Sequence, residues 1–176
     1  KNMTFSNLTM KNVPRPVFMT FCQQRACVEA SEEMYPMQSM QNFIFSNIIV
    51  DNRELDKNSA FFITGLPGHN IDNLIFRDIL FFVSGGGTRE DFERKNLNEF
   101  TLEVLNGWWP EFSLVGTLPA SGFFGRHIDG LFIDNFHLFL DKTDERPPVV
   151  LDDVENVSVL NIYLNKSKIE KNNVVR

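Results

Sequence analysis

The chain has 176 residues, a net charge of −6, 43% hydrophobic and 23% charged residues. That length supports one domain with a sizeable core, and the composition is that of an ordinary globular protein. The acidic balance argues against a nucleic-acid partner, which calls for a basic patch. No apolar run approaches the roughly 20 residues that span a bilayer. A local group of Arg and Lys remains compatible with gripping a carboxylate sugar.

One template recurs five times along the chain. It is first met as Asn2-Met-Thr-Phe-Ser-Asn7-Leu-Thr-Met10, directly after Lys1, with no initiator Met or signal peptide ahead of it. The expectation is a piece whose N-terminal part is missing. A strand is predicted over 17–21, followed by an insertion at about 23–39. Cys22 and Cys27 flank the start of that insertion, and their spacing is compatible with a local disulfide or with two free thiols. The template returns as Asn42-Phe-Ile-Phe-Ser-Asn47-Ile-Ile-Val50 and as Asn73-Leu-Ile-Phe-Arg-Asp78-Ile-Leu-Phe81. A longer insertion, about 84–122, carries Gly85-Gly86-Gly87, a charged stretch from Arg89 to Arg94, and Trp108-Trp109-Pro110. Long insertions in a repeat protein usually serve as functional walls or lids. The fourth unit is Gly130-Leu-Phe-Ile-Asp-Asn135-Phe-His-Leu138 and the fifth is Asn156-Val-Ser-Val-Leu-Asn161-Ile-Tyr-Leu164. Coils span 1–165, and a polar tail over 166–176 is expected to be frayed or to form a partial cap.

Within each unit apolar residues fall one and three positions after the first residue, then six and eight after it. Each half therefore has the strand period of two, and the parity slips five residues after the first one, at a position that is always Asn or Asp. A straight strand would turn the second half to solvent. A bend at that Asn or Asp, both tolerant of left-handed backbone, keeps both halves facing one interior. Each unit is thus two short strands around a corner. The repeating direction of travel predicts parallel stacking, coil on coil, with corner residues Asn7, Asn47, Asp78, Asn135 and Asn161 forming a side-chain ladder. Most of the 18 Phe residues, having no polar handle, are expected as core rings. A leucine-rich repeat is the nearest competitor, but its fixed short period and regular Leu spacing are absent. The sequons at Asn2, Asn7, Asn156 and Asn165 largely coincide with repeat positions and read as corner chemistry.

Residues 2–18 resemble the coil that follows the active site in glycoside hydrolase family 28, the polygalacturonases. The segment Phe62-Ile-Thr-Gly-Leu-Pro-Gly-His-Asn-Ile-Asp-Asn-Leu74 is similar to a later coil of the bacterial and plant-like branch, as is Leu118 to Leu131. The resemblance covers nearly the whole chain. It implies an all-β fold, a right-handed single-stranded parallel β-helix of the pectin-lyase-like kind, here truncated at its N-terminal end. It also implies a secreted or periplasmic parent enzyme that hydrolyses pectic polysaccharide or oligogalacturonide with inversion, using an acid and a base spaced for a water. The family draws these from Asn-x-Asp, Asp-Asp, Gly-His-Gly and Arg-x-Lys motifs, none of which stands here in its proper context. No catalytic residue, metal ligand or cofactor is therefore assigned. Gly68-His69-Asn70 reads as a loop before a strand. Asp152-Asp153 reads as a solvated turn, because neighbours on a strand point to opposite faces.

Five residues remain candidates for touching sugar. Arg126 could hold a uronate carboxylate bidentately, with His127 beside it; alternatively Arg126 ties the insertion to the helix and His127 is satisfied locally. Gln24 and Arg25 follow a strand end that the resemblance places at the cleft edge. Trp109 could stack on a sugar ring or anchor the insertion. The chain is expected to be the C-terminal part of a pectin-degrading hydrolase, inactive alone. The alternative is a non-catalytic carbohydrate-binding or structural β-helix module. An open first coil also predicts self-association with a second copy.

Overall fold

The computed structural model describes residues 1–21, 39–93, 97, 100–101, 115–169 and 174–175. The described elements are nearly all β. They are β1 Met3–Lys11, β2 Phe18–Met19, β3 Met40–Asn52, β4 Phe61–Thr64, β5 Ile71–Val83, the single short helix α1 Arg89–Phe92, β6 Phe123–Leu140, β7 Val149–Val159, β8 Ile162–Leu164, β9 Ser167–Lys168 and β10 Val174–Val175. They form one ten-stranded sheet with the order β1-β3-β5-β6-β4-β2 along its main path.

The sheet is almost wholly parallel. β1 lies on β3 with Phe5 beside Phe45, β3 on β5 with Phe45 beside Phe76, and β5 on β6 with Phe76 beside Ile133. β6 then aligns Ile133 with Val159 of β7. The five units thus stack in the register that their alignment predicts, offset for offset. Among the described strands only the β8–β9 pair is antiparallel. β6 is long enough to pair twice, through Phe123–Arg126 with β4 and through Ile128–Leu140 with β5. The expected polar tail supplies β9 and β10, and Val174 and Val175 pair with Val149 and Val150.

The corners form as the parity slip requires. Asn7, Asn47, Asp78, Asn135 and Asn161 all have φ between 46° and 57°. A second corner opens each unit, at Asn2, Asn42, Asn73, Gly130 and Asn156, and its φ is also positive. Glycine at the fourth of these has a packing reason: a Cβ on Gly130 would stand 2.9 Å from Asn73 Oδ1. All four sequon asparagines hold positive φ, which fits their reading as corners.

The corner ladder is segmented, not continuous as expected. Asn47 donates to Asn7 at 2.6 Å and Asn135 to Asp78 at 2.7 Å. Asn161 donates to Asp134 at 2.9 Å, not to Asn135. A carboxylate only accepts, so Asp78 accepts from Asn135 of the following unit and donates nothing to the preceding one. The Oδ1 of Asn135 is engaged by His137 Nε2 at 2.8 Å.

The core follows the apolar offsets. In the middle three units Phe43, Phe45, Ile48, Val50, Leu74, Phe76, Ile79, Phe81, Leu131, Ile133, Phe136 and Leu138 are all buried. Phe5, Phe45 and Phe76 stack ring on ring at centroid spacings of 5.0 and 4.7 Å. Phe61 closes the interior from the opposite wall, edge-on to Phe76, Phe81 and Phe136. Each buried Phe contributes roughly 1.5–3 kcal/mol of transfer free energy, and well-set ring pairs about 0.5–1.5 kcal/mol more.

Among the described residues, the loops that bridge the units carry a deeply buried ion pair. Arg146 Nη2 sits 2.7 Å from Asp144 Oδ2, with side-chain exposures of 2% and 0%. Asp144 also accepts from Gly87 N, and Arg146 donates to Leu118 O. Both loops flanking β5 and β6 are thereby joined at one point.

Candidate functional site

The short strands β2, β4, the first stretch of β6 and the first stretch of β7 end together. Their register aligns Thr64 with Arg126 and Arg126 with Asp152. One residue further on stand Gly65, His127 and Asp153. Two adjacent polar columns therefore form a ledge along this side of the sheet.

In the first column Arg126 Nε donates to Asp152 Oδ2 at 2.7 Å, and Nη2 lies 2.6 Å from the same oxygen. Its Nη1 reaches Leu97 O at 3.5 Å, and the guanidinium stands 5.4 Å from the Phe124 ring centroid. Leu97 belongs to the long insertion, so Arg126 does tie that insertion to the stacked units. The Nε–Nη2 edge of the guanidinium is thus occupied by Asp152, with the ring of Phe124 beneath it.

In the second column His127 Nδ1 lies 2.5 Å from Asp153 Oδ2. Both residues hold left-handed backbone, with φ of 50° and 51°. The turn containing Leu66 and His69 closes against them, since a Cβ on Gly65 would stand 2.4 Å from His127 O. His69 pairs with Leu66 through an isolated bridge and precedes β5, as a loop residue should. Its ring lies 6.4 Å from that of Phe21. Close to the ledge, Thr20 Oγ1 is buried with no hydrogen-bond partner among the described residues.

The reading of Asp152-Asp153 as a solvated turn stands in part: both side chains are solvated, at 52% and 62% exposure, but no separate turn precedes the last unit. Both lie within β7, and both carboxylates meet cationic or ionisable partners in the preceding unit. The rule that neighbours face opposite ways fails here because Asp153 is a corner. The signal was present in the alignment: His127 precedes Gly130 by three residues as Asp153 precedes Asn156. Of the other candidates, Gln24, Arg25 and Trp109 lie outside the described residues, as do Cys22 and Cys27.

Both carboxylates of the ledge are engaged by side chains of the preceding unit, unlike the pair that an inverting glycoside hydrolysis uses. That reaction needs two carboxyl groups flanking a bond with a water between them. Here Asp152 is engaged by Arg126 and Asp153 by His127. Among the described residues no group of three His, Cys, Asp or Glu side chains is placed to hold a metal ion. No helix among them is long and apolar enough to cross a membrane.

Neither a protein-family profile, nor a characterised protein, nor a solved structure matches this chain.

Proposed function

We propose that the chain is the C-terminal part of a pectin-degrading glycoside hydrolase of the polygalacturonase kind, folded as a right-handed single-stranded parallel β-helix. In this reading it supplies scaffold and one wall of the sugar cleft, and it does not hydrolyse its substrate alone. The parent acts on pectic polysaccharide or oligogalacturonide in a periplasmic or extracellular setting. The observation that carries the reading is the ledge: an Arg fixed by Asp152 and Phe124 at the end of aligned short strands. A galacturonate carboxylate is the planar anion that such a guanidinium suits.

A second reading, a structural module with no sugar ligand, is favoured by one fact. Arg126 and His127 already have protein partners, so the ledge is complete without a ligand.

The test is calorimetric titration of the purified chain with oligogalacturonate, alongside an assay for reducing ends released from polygalacturonate. The expected result is weak saturable binding that Arg126→Gln abolishes, with no reducing ends formed. Enzymatic release of reducing ends would overturn the inactive-part reading. Absence of binding would remove the sugar wall and favour the structural module.

A further inference from the structure

β1 has β3 on one side and no strand on the other among the described residues. Its apolar positions show the consequence. Met3 is 46% and Leu8 38% exposed, whereas the residues aligned with them in β3, Phe43 and Ile48, are 6% and 0% exposed. Beside this edge lies a concavity of about 370 Å³, lined by Phe5, Leu8, Met10, Val17 and Met19 among others.

The edge also has a polarity. Asn42 Nδ2 donates to Asn2 Oδ1 at 2.7 Å, and Asn47 Nδ2 to Asn7 Oδ1 at 2.6 Å. The same sense, from each unit to the one before it, recurs where aspartate fixes it: Asn135 to Asp78, Asn156 to Asp129 and Asn161 to Asp134. The Nδ2 groups of Asn2 and Asn7 therefore close the series as donors, with no acceptor among the described residues.

We propose that this edge is a docking site for one further strand, running parallel to β1 and carrying Asn or Asp five residues apart. Such a strand would present acceptors to Asn2 and Asn7 and apolar side chains to the concavity, as β1 itself does toward β3. The geometry disfavours the other occupant, a second copy meeting head to head. Two copies of β1 would pair antiparallel, and opposed residues in such a pair share a face. Matching the apolar faces sets Met3 against Met10 and Phe5 against Leu8. That register puts corner Asn7 opposite Ser6 of the other copy. Matching corners, Asn7 on Asn7 and Asn2 on Asn12, shifts the register by one residue and sets apolar positions against polar ones. A parallel strand meets both demands at once. Head-to-tail stacking is hindered at two points, since β10 pairs with Val149 and Val150 of β7 and β9 with Tyr163 and Leu164 of β8.

The test uses the full chain and a dye-labelled peptide with the sequence of Met40–Asn52, followed by fluorescence anisotropy. Saturable one-to-one binding is expected. It should weaken by about tenfold or more when the peptide carries Asn42→Leu and Asn47→Leu, since two amide hydrogen bonds are lost. Leu8→Lys in the chain should abolish it, while Leu160→Lys, an exposed position at the other end, should not. Circular dichroism confirms that both variants stay folded. Equal binding of a reversed-sequence peptide, or no binding of the native one, would overturn the proposal. The inference is independent of any sugar ligand, so the two tests fail separately.

Discussion

Phe45 and Phe76, thirty-one residues apart in sequence, stack at 4.7 Å with planes within 7° of parallel. Their units run in the same direction in matched register, which is what sets one ring above the other. Phe76 is fully buried, and Phe61 and Phe123 meet it edge-on. Phe76→Ala should therefore cost about 3–5 kcal/mol, the range for a buried ring whose cavity cannot collapse. Phe5→Ala, in the half-open first unit, should cost distinctly less. Urea unfolding of the two variants measures the difference.

The corners give a second expectation. Asn47 holds φ of 53° and donates to Asn7. Asn47→Val places a β-branched residue in left-handed backbone and should destabilise by roughly 1–2 kcal/mol or more. Asn47→Gly removes the strain and loses only the hydrogen bond, so it should cost less. A thermal melt in which Gly proved the worse of the two would mean that the amide bond, not the backbone, holds the corner.

The buried pair of Asp144 and Arg146 predicts a pH dependence. Burial alone would push the Asp144 carboxyl up, but the hydrogen bonds and charge of Arg146, with the bond from Gly87 N, together hold it below its ordinary value. The folded chain then binds this proton less readily than the unfolded one, so acid favours unfolding. The contribution is complete above the unfolded value near about 4 and is lost as pH falls through the folded one. The native chain should lose more stability between neutral pH and acid below this value than the Asp144→Leu, Arg146→Met double variant does. Denaturant titrations at the two pH values read this directly.

The same pair separates breaking from replacing. Arg146→Met alone leaves a carboxylate buried without its counter-charge and should cost about 3–5 kcal/mol. The double variant should recover a substantial part of that loss. Additive losses in the double-variant cycle would contradict the tight coupling that the 2.7 Å contact implies.

Arg126 joins two layers and the insertion, through Asp152 and Leu97 O. Arg126→Met keeps the aliphatic stem over Phe124 and loses the polar contacts. The expected cost is about 1–2 kcal/mol, discounted because Asp152 is 52% exposed. Hydrogen exchange at Leu97, whose carbonyl Arg126 contacts, and at Phe100 and Thr101 should quicken in this variant.

The sequence by itself determined the repeat, the slip corners and the register. Alternation with a slip at Asn or Asp admits one local solution, and units that travel the same way pair in parallel, so the five slip corners and the apolar positions of the units were legible, while the second series of corners, at Asn2, Asn42, Asn73, Gly130 and Asn156, was not. Only the tertiary structure decided which polar groups meet across layers. The ladder breaks at Asp78 because a carboxylate cannot donate. Asp153 meets His127, and Asp144 meets Arg146, because bends and loops bring those side chains together after the strands have stacked. Such contacts depend on three-dimensional approach, and no local period encodes it.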